Sequence, residues 1–439
     1  MAASTPIDEL VGIPEGEFLD ELEVMGVRQR ALEVEVLRMA YAWTVRHPGE
    51  GVDPAEAGWP GREQGRAFGG DGTPRVAEFA AAVFGTRLGL SAAAGRSLMA
   101  DALDLRHRFP QLWARVEALE VRVSYARYVV RQCRELGRGP AGYVDARVAE
   151  SADGRISWAR FEHLVAGLIV ASDLEAARVA EERAARATFT KRTRGGAHGM
   201  ATFFVRADVA VIEAIQQRVT AMAARLDESY GATADERRVA ALLHLVAGRE
   251  PGTDSADLLP QVQLFVHTYA ASPEAPSEGI ARVEGHGAVT QEWVRERLGP
   301  RVRFTIRPVL DLAAQAPVDA YEIPDRHRRA VRLMTPFDVF PFANATSETM
   351  QIDHTVPYDE GRDPRGSPPG QSRIGNYGPM TAFHHRVKTH GGWQVQQPFP
   401  GIYVWRDPHG GTYLVDHTGT RRLKRPRVVL DIVDYATAA

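Results

Sequence analysis

The chain has 439 residues, of which 44% are hydrophobic, so it can bury a sizeable core and is long enough for two or three domains. A formal net charge of −3 argues against attraction of the whole molecule to nucleic acid, and a single cysteine excludes an intramolecular disulfide. No apolar run approaches the ~18 residues of a membrane span, and the N-terminus lacks a basic-then-apolar signal. We therefore expect a cytoplasmic protein with no membrane contact.

Charge is unevenly distributed along the chain. Residues 1–27 contain seven acidic residues and no Lys or Arg, which predicts a flexible acidic leader. Residues 372–427 contain nine Lys or Arg against two acidic residues. Any nucleic-acid surface is therefore expected at the C-terminal end of the chain.

The first predicted helix covers residues 27–47, where apolar residues recur at helical spacing. A Gly/Pro-rich interval at 48–72 is predicted to be a loop, because its GGDG lacks the Lys and Ser/Thr of a phosphate-binding loop. Residues 74–191 are rich in Ala, Arg, Leu and Glu and predict several helices, with Ser91 and Ser124 as candidate N-caps.

The next stretch mixes short strands with helices. Alternation or helical spacing predicts the following elements: strand 200–206, helix from Asp208, helix 235–247, strand 261–268, helix 290–298 and strand 301–306. Together, residues 28–324 predict a largely helical domain with a few short strands. His327, just beyond it, could contact phosphate or cap a helix.

Residues 351–390 hold most of the recognisable chemistry and predict a strand, a loop and a helix. Strand-forming residues place Asp353 and His354 at a strand end, and the Pro- and Gly-rich segment 361–370 must be a loop. Asn376 follows a glycine, where its side chain can fix a turn by bonding the backbone. A helix is predicted from Pro379 onwards.

These residue types suit phosphodiester hydrolysis, which needs a metal ion at the phosphate, a base for water and cationic support for the oxyanion. Asp353 can bind a divalent metal ion, which leaves the adjacent His354 free to act as general base. Lys388 and Arg386, on the predicted helix, can hold phosphate.

The arrangement resembles the HNH endonuclease motif of the ββα-metal nucleases, with His354, Asn376 and His385 at its three positions. The phrase DHTVPY…GNYGPMTAFHHRVKTHGGW is similar to actinobacterial HNH proteins that carry an N-terminal domain of unknown function 222. The segment 84–130 resembles that helical domain. In that family the resemblance implies His354 as general base, Asp353 and His385 as metal ligands, and Asn376 as a ligand or a loop-ordering residue.

The chain departs from this family in one respect. Members commonly carry zinc-binding cysteines before the Asp-His pair and near the helix, whereas 335–350 contains none and Thr381 stands at the other position. A cysteine-based zinc clip is therefore excluded. Phe337, Phe340 and Phe342 are expected to hold the finger together by packing instead.

The sequence thus predicts an α+β protein: a leader (1–27), a mainly helical domain (28–324) and an HNH nuclease domain (325–439). The expected activity is cleavage of nucleic acid, DNA rather than RNA, with Mg²⁺, Mn²⁺, Ni²⁺ or Zn²⁺. His354 and Asn376 are the candidate catalytic residues and Asp353 with His385 the candidate metal ligands. The residues expected to contact DNA are Arg373, Arg386, Lys388 and His390. Two alternatives stay open: a non-catalytic DNA-binding or interaction protein with a degenerate finger, and a helical scaffold with an unused nuclease tail.

Overall fold

A computed structural model describes residues 7–51, 59, 61–193, 200–249, 266–268, 279–283, 287–298, 315–346, 349–361 and 370–423. The chain divides into two compact units, one formed by Met1–Leu174 with Val309–Ala439 and the other by Glu175–Pro308. Both contain helices and antiparallel strands, so the predicted mixture of α and β structure is confirmed. None of the described helices is long and apolar enough to cross a membrane.

The first unit begins with a helical array and one small two-stranded ribbon. Its elements are α1 (Ile7–Val11), α2 (Glu15–Arg46), β1 (Gly65–Ala67), β2 (Arg75–Ala77), α3 (Ala80–Arg87), α4 (Ala92–Arg108), α5 (Pro110–Glu117), α6 (Val123–Gln132), α7 (Arg138–Val148) and α8 (Trp158–Ser172).

The helix starts of this region agree only in part with those expected from the sequence. Helix α2 begins at Glu15 rather than near residue 27, so residues 15–27, which were predicted to belong to a flexible leader, are helical. Pro14 precedes this helix, and the negative charges of Glu15 and Glu17 stabilise the positive end of its dipole. Ser91 caps α4 as predicted, since its side chain accepts from the backbone of Ala94. Ser124 is not a cap, because it lies inside α6.

The second unit holds small separate elements. They are α9 (Leu174–Arg186, at the boundary), β3 (Phe189–Arg192), β4 (Phe203–Arg206), α10 (Val209–Ala223), α11 (Ala234–Ala247), β5 (Val266–Thr268), β6 (Ile280–Val283), β7 (Gly287–Thr290) and α12 (Gln291–Trp293). Strand β3 pairs with β4, and β5, β6 and β7 form a meander. Asp208 caps α10 where the sequence predicted its start. The predicted strand 301–306 lies outside the described residues.

The C-terminal part of the first unit contains α13 (Asp325–Met334), β8 (Gln351–His354), β9 (Tyr377–Met380), α14 (Ala382–His390), β10 (Gln394–Phe399), β11 (Ile402–Arg406), β12 (Thr412–Asp416) and β13 (Gly419–Leu423). Strands β8 and β9 form an antiparallel ribbon, and β10 to β13 form a four-stranded meander. Helix α14 starts at Ala382, later than the predicted Pro379, because Thr381 is its N-cap and Pro379 belongs to β9.

One core joins the two ends of the chain. Phe79, on the N-terminal side, lies in the same buried cluster as Phe340, Trp393 and Trp405 from the C-terminal part. A second cluster packs α2, β2 and α3 together with the helices α4 to α8. The C-terminal strands and the first helices of the chain therefore belong to one packed body.

Candidate functional site

The candidate site is the ribbon β8–β9 with helix α14 packed beside it. Asp353 and His354 are the last residues of β8 and pair with Gly378 and Tyr377 of β9. Because neighbouring residues of a strand point to opposite faces, Asp353 and His354 present their side chains in different directions. The helix brings His385 and Lys388 to Asp353.

One carboxylate oxygen of Asp353 lies close to two side chains that are cationic or can become so. Its Oδ2 lies 2.7 Å from Nζ of Lys388 and 3.3 Å from Nε2 of His385. The Lys388 ammonium also donates to the backbone carbonyl of His354, and its side chain is 9% exposed. Lys388 therefore forms an ion pair with the carboxylate that the sequence analysis assigned to a metal ion.

The orientation of His385 is set by a glutamine. Nδ1 of His385 lies 2.7 Å from Oε1 of Gln351, an oxygen that can only accept, so Nδ1 carries a hydrogen. In the neutral ring, Nε2 then turns its lone pair towards Asp353. This arrangement is typical of a metal-binding histidine whose second nitrogen is held by an outer-shell acceptor.

The spacing of these two donor atoms fits a divalent ion. Two ligands held at about 2.1 Å with an angle near 100° stand roughly 3.2 Å apart, and Asp353 Oδ2 and His385 Nε2 are 3.3 Å apart. No group of three or more His, Cys, Asp or Glu that could hold a metal ion occurs in the part of the chain that the structure describes. Among the described residues the site therefore offers two donors, and water and substrate would have to complete the coordination.

His354 is buried and held in one tautomer. It is 4% exposed, and its Nε2 lies 2.8 Å from Oγ of Ser372. The Ser372 hydroxyl donates its only hydrogen to the carbonyl of Ala320 at 2.5 Å, so it must accept from His354. Nε2 therefore carries a hydrogen, and Nδ1 is the nitrogen that can take a proton.

Burial also favours the neutral, basic form of His354. Loss of hydration lowers the pKa of the imidazole below its ordinary value; Asp353 opposes this shift and Lys388 adds to it. Tyr321 stacks over the ring with centroids 6.0 Å apart, while its own side chain is 68% exposed. Sequence reasoning missed Ser372, Gln351 and Tyr321. Each contacts a histidine of the site that lies far from it in the sequence.

Asn376 orders the loop that precedes β9. Its Oδ1 accepts from the Thr355 hydroxyl at 2.7 Å and from the Val356 amide at 2.8 Å. Its Nδ2 donates to the carbonyls of Val356 at 3.1 Å and Gln371 at 3.0 Å. Because both donors and both lone pairs are used, the geometry favours the loop-ordering role over the ligand role.

The residues expected to contact DNA are in different surroundings. Arg386 points away from Asp353 and donates to the carbonyls of Gly61 and Arg62 and to the carboxylate of Glu78. The ring of His390 also lies against Gly61. Arg373 is exposed on the loop before Asn376. Of the four, only Lys388 reaches Asp353 directly.

A buried carboxylate occupies the place expected for the zinc clip. Asp338, 1% exposed, accepts from Nδ1 of His384 at 2.7 Å and from the backbone amide of Thr381 at 2.8 Å. Phe340 stacks on His384 with centroids 4.3 Å apart. Phe337 and Phe342 pack against the same cluster. Packing by the three phenylalanines was expected from the sequence, but the Asp338–His384 pair was not.

His327 neither contacts solvent nor caps a helix. It is fully buried in α13, with Nε2 3.0 Å from the carbonyl of Ala316 and Nδ1 3.2 Å from the hydroxyl of Tyr377. Since the carbonyl can only accept, Nε2 carries the hydrogen and Nδ1 accepts from Tyr377. Burial lowers the pKa of His327. This histidine packs against Tyr377, whose ring also contacts His354.

Comparisons with known proteins identify no relative of this chain. No family model, curated protein or solved structure matches the chain.

Proposed function

We propose that the protein is a metal-dependent endonuclease of the HNH type that hydrolyses phosphodiester bonds, in DNA rather than RNA. The observation that supports this most is the convergence of Asp353 Oδ2 and His385 Nε2 at 3.3 Å, next to a buried histidine whose Nδ1 is the free base. A strand pair followed by a helix carries all three residues, which is the order that the HNH resemblance implies.

In this proposal His354 is the general base. Nδ1 takes the proton of the water that attacks phosphorus, while Ser372 holds the opposite nitrogen and keeps the ring in place. The lowered pKa keeps the imidazole neutral near pH 7, so it is ready to accept a proton. Protonation gives a cation close to Asp353, whose negative charge stabilises it.

Asp353 and His385 would hold the divalent ion, and that ion would supply positive charge to the phosphate during attack. Gln351 fixes the tautomer of His385 for this role. Lys388 forms an ion pair with Asp353. Once the carboxylate has another cation, the ammonium is available to an oxygen of the phosphate.

The test is nicking of supercoiled plasmid by the purified chain with Mg²⁺, Mn²⁺, Ni²⁺ or Zn²⁺, beside His354→Ala. We expect metal-dependent nicking that falls about 10²–10⁴-fold in this variant, the usual contribution of a general base. His417→Ala is the matched control, because it makes the same change at an exposed turn residue. Equal nicking by all three proteins would mean a contaminating nuclease.

The second candidate is a nucleic-acid-binding protein that does not cut. It is favoured by one observation: Lys388 already satisfies Asp353, as a structural ion pair would. A gel shift of the plasmid without nicking, under every metal tested, would support this candidate and contradict the nuclease proposal.

A further inference from the structure

The ribbon β3–β4 of the second unit carries two aromatic and two basic side chains on one face, whereas the opposite face carries one of each, Phe203 and Arg192. Phe189 is paired with Arg206, and Lys191 is paired with Phe204. Side chains of paired antiparallel residues lie on the same face, as do residues two apart in one strand. The four side chains therefore form a square in which the two rings occupy one diagonal and the two cations the other.

This face is open to solvent. Phe189 is 46% exposed and Phe204 is 51% exposed, and together with their basic neighbours they line a concavity of about 360 Å³. Neither strand contains an acidic residue. In the described part of the chain, Lys191 and Arg206 have no ion-pair partner. The face thus combines exposed aromatic surface with uncompensated positive charge.

An anionic ligand with flat apolar groups satisfies both properties at once. Bases stack on aromatic rings carried by neighbouring strands of a sheet, while Lys and Arg hold the phosphates between them. Diagonal positions across two strands are roughly 7–8 Å apart, which allows each ring its own base. Only unpaired bases offer their faces in this way, because the bases of a duplex are already stacked on each other.

We propose that the face formed by Phe189, Lys191, Phe204 and Arg206 binds single-stranded nucleic acid. The ligand is recognised by stacking and by phosphate charge, so binding depends little on base sequence. This surface lies in the second unit and does not rest on the catalytic proposal, because binding requires neither the metal ion nor His354.

The experiment measures fluorescence anisotropy of labelled dT20 with the full-length chain carrying His354→Ala, in EDTA, so that cutting plays no part. The test variant is Phe204→Ala/Lys191→Gln, which removes one cross-strand pair from the proposed face. The matched control is Phe203→Ala/Arg192→Gln, which removes the adjacent pair from the opposite face. Circular dichroism melting of both variants checks that each still folds.

We expect the test variant to bind dT20 about 10- to 100-fold more weakly, in line with the loss of one stacked base. The slope of log affinity against log salt should become less steep by about 0.7, the value for one phosphate contact on a single strand. The control should change affinity less than twofold by our estimate, with an unaltered salt slope.

Three results would overturn the proposal. The first is no binding of dT20 by the parent chain. The second is an equal loss of affinity in both variants. The third is an unchanged salt slope in the test variant. A failure of plasmid nicking would leave all of these measurements intact, so the two proposals can fail separately.

Discussion

At the scale of single residues, the hydrogen-bond partners of His354 and His385 act as acceptors and so define which nitrogen of each ring carries the hydrogen. Ser372 and Ala320 leave Nδ1 of His354 as the base, and Gln351 leaves Nε2 of His385 facing Asp353. An imidazole has two chemically similar nitrogens, so these neighbours decide its role.

Lys388→Met should increase the affinity for Mn²⁺ by about tenfold or more, because the variant removes a competing cation from the Asp353 carboxylate. Isothermal titration calorimetry on the protein without nucleic acid measures this directly. Arg373→Met, which removes an exposed charge from the neighbouring loop, should leave the affinity unchanged. An unaltered or lower affinity in Lys388→Met would show that Lys388 does not compete with the ion.

His327→Gln should reduce the loss of stability that accompanies acidification. The pKa of His327 is lowered by burial, so between about pH 7 and pH 5 the unfolded chain takes up a proton that the folded protein resists. The histidine therefore lowers the free energy of unfolding as the pH falls. Urea unfolding of both proteins at pH 7 and pH 5 measures the difference, which should be smaller in the variant. A drop at least as large as that of the parent chain would contradict this assignment.

At the scale of elements, the start of α14 is held by a buried Asp–His hydrogen bond and an aromatic stack. Asp338 receives hydrogen bonds from His384 and from the Thr381 amide, and Phe340 covers the histidine ring. Thr381 in turn caps the helix. These contacts link the segment before β8 to the helix that carries His385. They therefore help to position that helix beside the ribbon β8–β9.

Asp338→Ala should lower the free energy of unfolding by about 3 kcal/mol, since it leaves buried donors without an acceptor. Chemical unfolding monitored by tryptophan fluorescence is the measurement, because Trp393 and Trp405 lie in the same cluster. Asp359→Ala, at an exposed position, is the control and should cost much less. EDTA should leave the parent chain's melting temperature unchanged; a large decrease would point to a structural metal.

At the scale of the whole molecule, the site depends on the N-terminal part of the first unit. Arg386, on the helix of the site, is bonded to Gly61, Arg62 and Glu78. Phe79 completes the cluster around Trp393. The domain boundary that the sequence predicted near residue 324 does not separate two packed bodies, because residues before and after it share one buried cluster.

A fragment of residues 325–439 should therefore not fold into the structure that it has in the full chain. Removing the N-terminal part exposes the buried cluster and leaves Arg386 without its partners. Circular dichroism melting of the fragment should show a broad transition or none, whereas the full chain should melt cooperatively. A sharp transition of the isolated fragment would mean that the HNH segment is a domain of its own.

What the sequence by itself determined is the local structure around the motif. Strand β8 and helix α14 form between 351 and 390 as the residue types indicate, because turn chemistry and side-chain periodicity act over a few residues. Strand β9 was not predicted, and most of the predicted loop 361–370 lies outside the described residues. The absence of zinc-binding cysteines was equally plain from the sequence. So was the adjacency of Asp353 and His354 at the end of β8.

Only the tertiary structure decided what several of these side chains contact. Arg386 looked like a phosphate ligand, yet it is bonded to residues more than 300 positions earlier. Ser372 behind His354 and Asp338 behind His384 carried no recognisable pattern. The physical reason is that a hydrogen bond or ion pair between distant segments depends on how the core brings them together. That packing is a property of the whole fold, and no local periodicity encodes it.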